Sequence, residues 1–186
     1  MEAQRIQVKL FFAGGARPEP RATVALFHRI IQERLLDGLL IDVTDYGHVH
    51  HGPGVMLIGH EANVATDEEG GRPGVLFARK REVAGSFAER LASAARSALA
   101  AAQQVEQGLG LPIDAGELLV RLNDRLLAPD DDASIAAARP GLDALGARLW
   151  AGAPTETMRV GADGRLAVTL RCRAPADVAT LLARLS

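Results

Sequence analysis

The pattern of this sequence breaks once, at Gly108-Leu109-Gly110-Leu111-Pro112, and then begins again. Glycine and proline at this density end regular structure, so the break divides the chain into two stretches that fold by similar rules. Before it, residues 7–12 (Gln7-Val8-Lys9-Leu10-Phe11-Phe12) read as a strand, closed by Gly14-Gly15 and the Pro18/Pro20 pair. A helix over 21–37 follows, with Val24, Phe27, Ile31 and Leu35 at helical spacing and Gly38 as its stop. Residues 39–50 and 55–65 form the two arms of a hairpin around Gly52-Pro53-Gly54, and residues 75–81 a third strand. Ser86 opens a long helix, and Glu89 completes a capping box with it. Phe87, Leu91, Ala94, Ala98, Ala102 and Val105 are the buried stripe of that helix.

After the break the order recurs. Residues 117–122 are a strand, 130–150 a helix interrupted at Pro140, and 155–160 with 166–172 a hairpin around Ala162-Asp163-Gly164. Residues 174–186 close the chain as a helix. Two short echoes fall in matching slots. Val8-Lys9-Leu10 returns as Val120-Arg121-Leu122, and Arg34-Leu35-Leu36-Asp37-Gly38 returns as Arg148-Leu149-Trp150-Ala151-Gly152. Near-equal offsets of this kind point to an internal repeat. The expected fold is α+β, built of two related βαββ-type units in ferredoxin-like order, with antiparallel sheets and helices packed on one face. The units are 1–107 and 117–186, joined by a linker over 108–116. In element order alone, without a shared motif, this resembles two groups of duplicated proteins. They are the vicinal-oxygen-chelate group, which holds a metal between sheet faces, and the gyrase-inhibitor-like domains, which form a ligand groove.

Composition narrows the function. With 21 basic and 23 acidic side chains, a net charge of −2 and seven aromatics, the chain lacks the basic stripe and stacking platform of a nucleic-acid binder. No apolar run approaches the roughly 18 residues of a membrane span, and the first residues do not read as a signal peptide, so the expected setting is cytoplasmic. A single cysteine, Cys172, excludes an internal disulfide; its parity with Leu166, Val168 and Leu170 makes it a buried structural thiol. Neither a G-x-S-x-G elbow, a P-loop, a G-x-G-x-x-G turn after a strand nor a C-x-x-C pair is present.

Four of five histidines fall between residues 48 and 60. On a strand, His48 and His50 point the same way, as does Tyr46. If the hairpin turns tightly on Pro53-Gly54, Tyr46 lies opposite Glu61 and His48 opposite Gly59. That register puts His48, His50 and Glu61 on one non-core face. Two imidazoles and a carboxylate suit Zn²⁺, Fe²⁺, Mn²⁺ or Ni²⁺, with open positions for water or substrate. Tyr46 would then orient or protonate a bound group. His51 at the turn and His60 could support those ligands or replace one of them, although parity makes His60 a buried, hydrogen-bonded histidine. His28 borders the stripe of the first helix and carries no functional expectation. Arg79 and Arg81, alternate residues ending the third strand, are candidates for holding an anionic substrate. Asp130-Asp131-Asp132 lacks the spacing of a calcium loop and reads as helix N-terminal chemistry. The sequence therefore specifies no reaction. It suggests a metal or small-molecule site on the hairpin or, alternatively, a non-enzymatic protein whose open sheet face is covered by a second copy or another partner.

Overall fold

Strand β1 (Ile6–Phe12) sets the frame. Its alternation sends Ile6, Val8, Leu10 and Phe12 into the core and Gln7, Lys9 and Phe11 to the opposite face. In the computed structural model, residues 1–47, 49, 53–160, 164–173 and 175–186 are described. Strand β1 pairs on one side with β5 (Gly74–Arg79) and on the other with β6 (Ile113–Leu122). Beyond β5 lie β4 (Ala62–Asp67), β3 (Val55–Gly59) and the edge strand β2 (Leu40–Asp45). Beyond β6 lie β8 (Leu166–Cys172) and the edge strand β7 (Thr155–Arg159). Among the described residues this is one eight-stranded sheet, antiparallel at every neighbour pair.

Four helices cover one face: α1 (Pro20–Glu33), α2 (Phe87–Leu109), α3 (Asp132–Leu149) and α4 (Val178–Arg184). The fold class is α+β, with the helices on one side as the patterning predicts. Among the described residues no helix is long and apolar enough to cross a membrane. The α2 stripe is buried as expected, from Phe87 to Val105, and Ser86 with Glu89 forms both halves of the capping box. Small residues let the helices approach closely. A Cβ on Gly108 would stand 2.4 Å from the Leu26 Cδ1 of α1, and one on Gly141 of α3 would stand 2.8 Å from the Phe87 ring. Of the acidic run, Asp131 caps α3 by accepting from the Ser134 N–H, and Asp130 and Asp132 pair with Arg159. Cys172 is buried.

Several boundaries differ from the sequence expectation. Helix α1 stops at Glu33, because Arg34 takes a left-handed conformation (φ 54°) and its N–H bonds back to Ile30 and Ile31; Gly38 lies in the bend beyond. Within residues 108–116, α2 runs to Leu109, Gly110 caps it, and β6 begins at Ile113. The β1–β6 pairing thus joins the two expected units in one sheet. Helix α3 continues through Pro140, losing one N–H donor without breaking. Ala162 and Asp163 of the last hairpin turn lie outside the described residues.

The largest difference is in the hairpin. The arm expected over 55–65 is two strands, because the chain reverses at the two residues His60-Glu61 between β3 and β4. Gly59 permits this: a Cβ there would lie 2.6 Å from the Ala62 carbonyl oxygen. The reversal inverts the expected parity of β3, so Val55 and Leu57 face the core rather than Met56 and Ile58.

The helix-free face is partly covered by the chain itself. The segment after β4 crosses over β1 and β6, and ion pairs fasten it. Within it Glu69 pairs with Arg121 (2.6 Å) and Arg72 with Glu117 through two hydrogen bonds of 2.7 and 2.8 Å, while Lys9 pairs with Asp67 at the end of β4. The Arg72 guanidinium also stacks 3.7 Å from the centroid of the Phe11 ring.

Candidate functional site

The β2–β3 register decides the fate of the hairpin site. Asp45 lies opposite Val55 and Val43 opposite Leu57, while Leu40 lies opposite Gly59. Tyr46 donates its N–H to the Gly54 carbonyl at 2.7 Å, next to the Asp45–Val55 pair, so the register is not that of a tight turn on Pro53-Gly54. Glu61 sits at the opposite end of β2, where its Oε2 accepts from the Leu39 N–H at 3.3 Å. Leu39 and Tyr46 are separated by the length of the strand, roughly 20 Å at about 3.3 Å per residue. The expected Tyr46–Glu61 and His48–Gly59 pairings are therefore corrected: Gly59 faces Leu40, and Glu61 belongs to the next turn. His60 is exposed at that turn rather than buried, because the reversal carries it out of the sheet. His48, His50 and His51 lie outside the described residues. Among the described residues no group of three or more histidine, cysteine, aspartate or glutamate side chains is placed to hold a metal ion.

The same reversal brings two of the expected site residues to one place. A cavity of about 390 Å³ opens between the helix-covered side of β3–β5, the loop after α1, and helices α2 and α4. Glu61 stands among its lining residues, and Arg79 is at its wall. Arg79 follows Val75 and Phe77 on the inward face of β5, so the strand's own alternation turns its guanidinium toward the helices. Arg81 lies beyond the end of β5, is exposed, and does not line the cavity.

From α2 the cavity receives Ser93, Arg96, Ser97 and Ala100, at i, i+3, i+4 and i+7, which is one face of a helix. None of these α2 residues is among the expected site residues. Their signal was present as a polar group at helical spacing beside an otherwise alanine-lined stripe. Leu36, Leu39 and Leu40, Val64 and Phe77, and Leu182 of α4 supply apolar wall.

Arg79 is half-buried, and burial alone pushes its pKa below the ordinary arginine value. Its Nη2 donates to Ser93 Oγ at 3.1 Å, its Nε is buried without a hydrogen-bond partner, and its guanidinium carbon lies 5.4 Å from the Phe77 ring centroid. Among the described residues no carboxylate pairs with it. The fully buried Arg90 and Arg121 also leave Nε without a hydrogen-bond partner, but their terminal nitrogens reach stronger acceptors. Arg121 has Glu69, and Arg90 donates to the Gly85 and Met1 carbonyls.

A second depression, of about 750 Å³, lies beside β6, β7 and β8 and includes Glu117, Arg171 and Cys172. Its charges satisfy one another. Burial works to raise the Glu117 carboxyl, but hydrogen bonds from Arg72 and Arg171 outweigh it and hold the group below the ordinary value. Unspent polar capacity therefore points to the Arg79 cavity as the candidate site. Comparison of the chain with known protein families, with curated proteins and with solved structures returns no significant match.

Proposed function

We propose that this protein binds a small organic molecule in the cavity between β5, α2 and α4. The observation that carries this reading is a cavity of about 390 Å³ with apolar walls and a few convergent polar groups, Arg79, Ser93, Arg96 and Ser97. That size falls within the roughly 300–1,000 Å³ typical of small-molecule sites, and the lining has their usual chemistry. The hairpin metal reading has less in its favour, since the β2–β3 register removes Glu61 from the end of the strand that carries Tyr46. The covered-face reading also weakens, because the segment after β4 already occupies the centre of the helix-free face.

We read the chain as two related βαββ-type units meeting at β1 and β6. Val8 lies directly opposite Val120, and the flanking pairs Gln7–Arg121 and Lys9–Leu119 fit a local two-fold relation between the echoed segments. On this reading the cavity belongs to the first unit and is closed by α4 of the second.

Titration with the neutral fluorophore N-phenyl-1-naphthylamine tests the binding reading. Saturable enhancement is expected in the wild type, with at least a tenfold weaker response in Ala100→Phe, which fills the cavity from α2. A variant that melts like wild type and still gives the full response would overturn the assignment, as would no enhancement in the wild type.

A further inference from the structure

We infer that the molecule taken by this cavity is a monoanionic organic acid, a carboxylate on an apolar body, with its head group received by Arg79. This rests on the binding reading above and adds the chemistry of the ligand. The chain supplies partners to its fully buried charges from within. Lys9 is matched by Asp67, Arg121 by Glu69, and Glu117 by Arg72 and Arg171. Arg90, with no acid beside it, spends its donors on backbone carbonyls. Arg79 has one hydroxyl and a ring, and no carboxylate among the described residues.

A guanidinium cannot shed its charge at ordinary pH, so withdrawing it from water without a counter-ion leaves an electrostatic deficit that an incoming anion relieves. Its planar fork matches a carboxylate. Ser97 and the exposed Arg96 line the same cavity from α2 and add donors to it. Glu61 also lines the cavity, but its carboxylate accepts from the Leu39 N–H and, among the described residues, forms no ion pair with Arg79. Arg96 is exposed and keeps its water, so Arg79 is the partly desolvated positive charge, and it calls for one negative charge. A dianion would carry a surplus charge into the same partly desolvated place, which is costly. Val64, Phe77, Leu40 and Leu182 then receive an apolar body rather than a second polar group.

The test displaces N-phenyl-1-naphthylamine from the full chain at pH 8 with decanoate, decanamide, decylamine and decyl phosphate. Decanoate is expected to displace the probe at about a tenfold lower concentration than decanamide, with decylamine weakest. In Arg79→Met that preference is expected to vanish while the probe still binds. Equal displacement by decanoate and decanamide would overturn the head-group assignment and leave the pocket standing. Tighter displacement by decyl phosphate would overturn the single-charge argument. Absence of probe binding in the wild type would remove the binding reading itself, and this inference with it. Because the decanoate–decanamide comparison is made on the unaltered protein, a misfolded variant does not rescue the proposal.

Discussion

Lys9 is 3% exposed, on the sheet face that carries no helix, and its ammonium is paired with Asp67. Burial lowers its pKa and the Asp67 charge opposes that shift. Removing one member of such a pair strands the other in a desolvated place, so Lys9→Met should cost about 3–5 kcal/mol in urea unfolding. Lys9→Met/Asp67→Leu should recover most of that loss, because two apolar groups leave nothing unpaired. A double variant as unstable as the single one would show that the pair stabilises through its own geometry. At this scale the sequence was readable where the rule is local. Ser86 with Glu89, Asp131 before its helix and buried Cys172 all follow from neighbours within a few positions. His60 was not readable, since its burial depended on a strand running past it. The chain turns there instead, on a glycine whose missing side chain is needed only because the Ala62 carbonyl lies close.

At the scale of elements, the segment after β4 is held by carboxylates that must stay ionised. Glu117 sits below the ordinary glutamate value of 4.5 because the hydrogen bonds from Arg72 and Arg171 outweigh the opposing effect of burial. A depressed folded value stabilises the fold above the unfolded-state value, and that contribution is lost as pH falls through the folded one. Stability should therefore decline below about pH 4.5. Glu117→Gln should lower stability at neutral pH by about 1–3 kcal/mol and flatten that acid decline. Chemical denaturation at stepped pH measures both, and an unchanged acid slope in the variant would contradict the assignment.

The α2 stripe was legible because its period is long and uninterrupted, and it is buried along its length. The β3–β4 pair was not. Met56, Ile58, Ala62 and Val64 alternate as one strand would, and a two-residue reversal is almost silent in such a pattern. The Gly-Leu-Gly-Leu-Pro break was read as a linker, although it is a helix cap followed at once by a paired strand. Local composition shows that regular structure stops; it does not show how soon pairing resumes.

For the molecule as a whole, strand and helix order carried the fold class, because helices that share one apolar face with antiparallel strands have few ways to bury it. The sheet order β2-β3-β4-β5-β1-β6-β8-β7 was beyond sequence reading, and with it the position of the site. Arg79 and Glu61 were each singled out for separate reasons. Ser93, Arg96 and Ser97 join them only because α2 crosses β5 and α4 closes over the end. That this cavity receives a small organic molecule can be tested amide by amide. The most direct measurement is a ¹H–¹⁵N correlation spectrum of the full chain titrated with N-phenyl-1-naphthylamine. The account predicts saturable shifts concentrated on the amides of Leu39, Gly59, Ala62, Arg79, Ser97 and Ala100. Shifts confined to the helix-free face around Lys9, Leu76 and Leu119, or no saturable shifts at all, would contradict it.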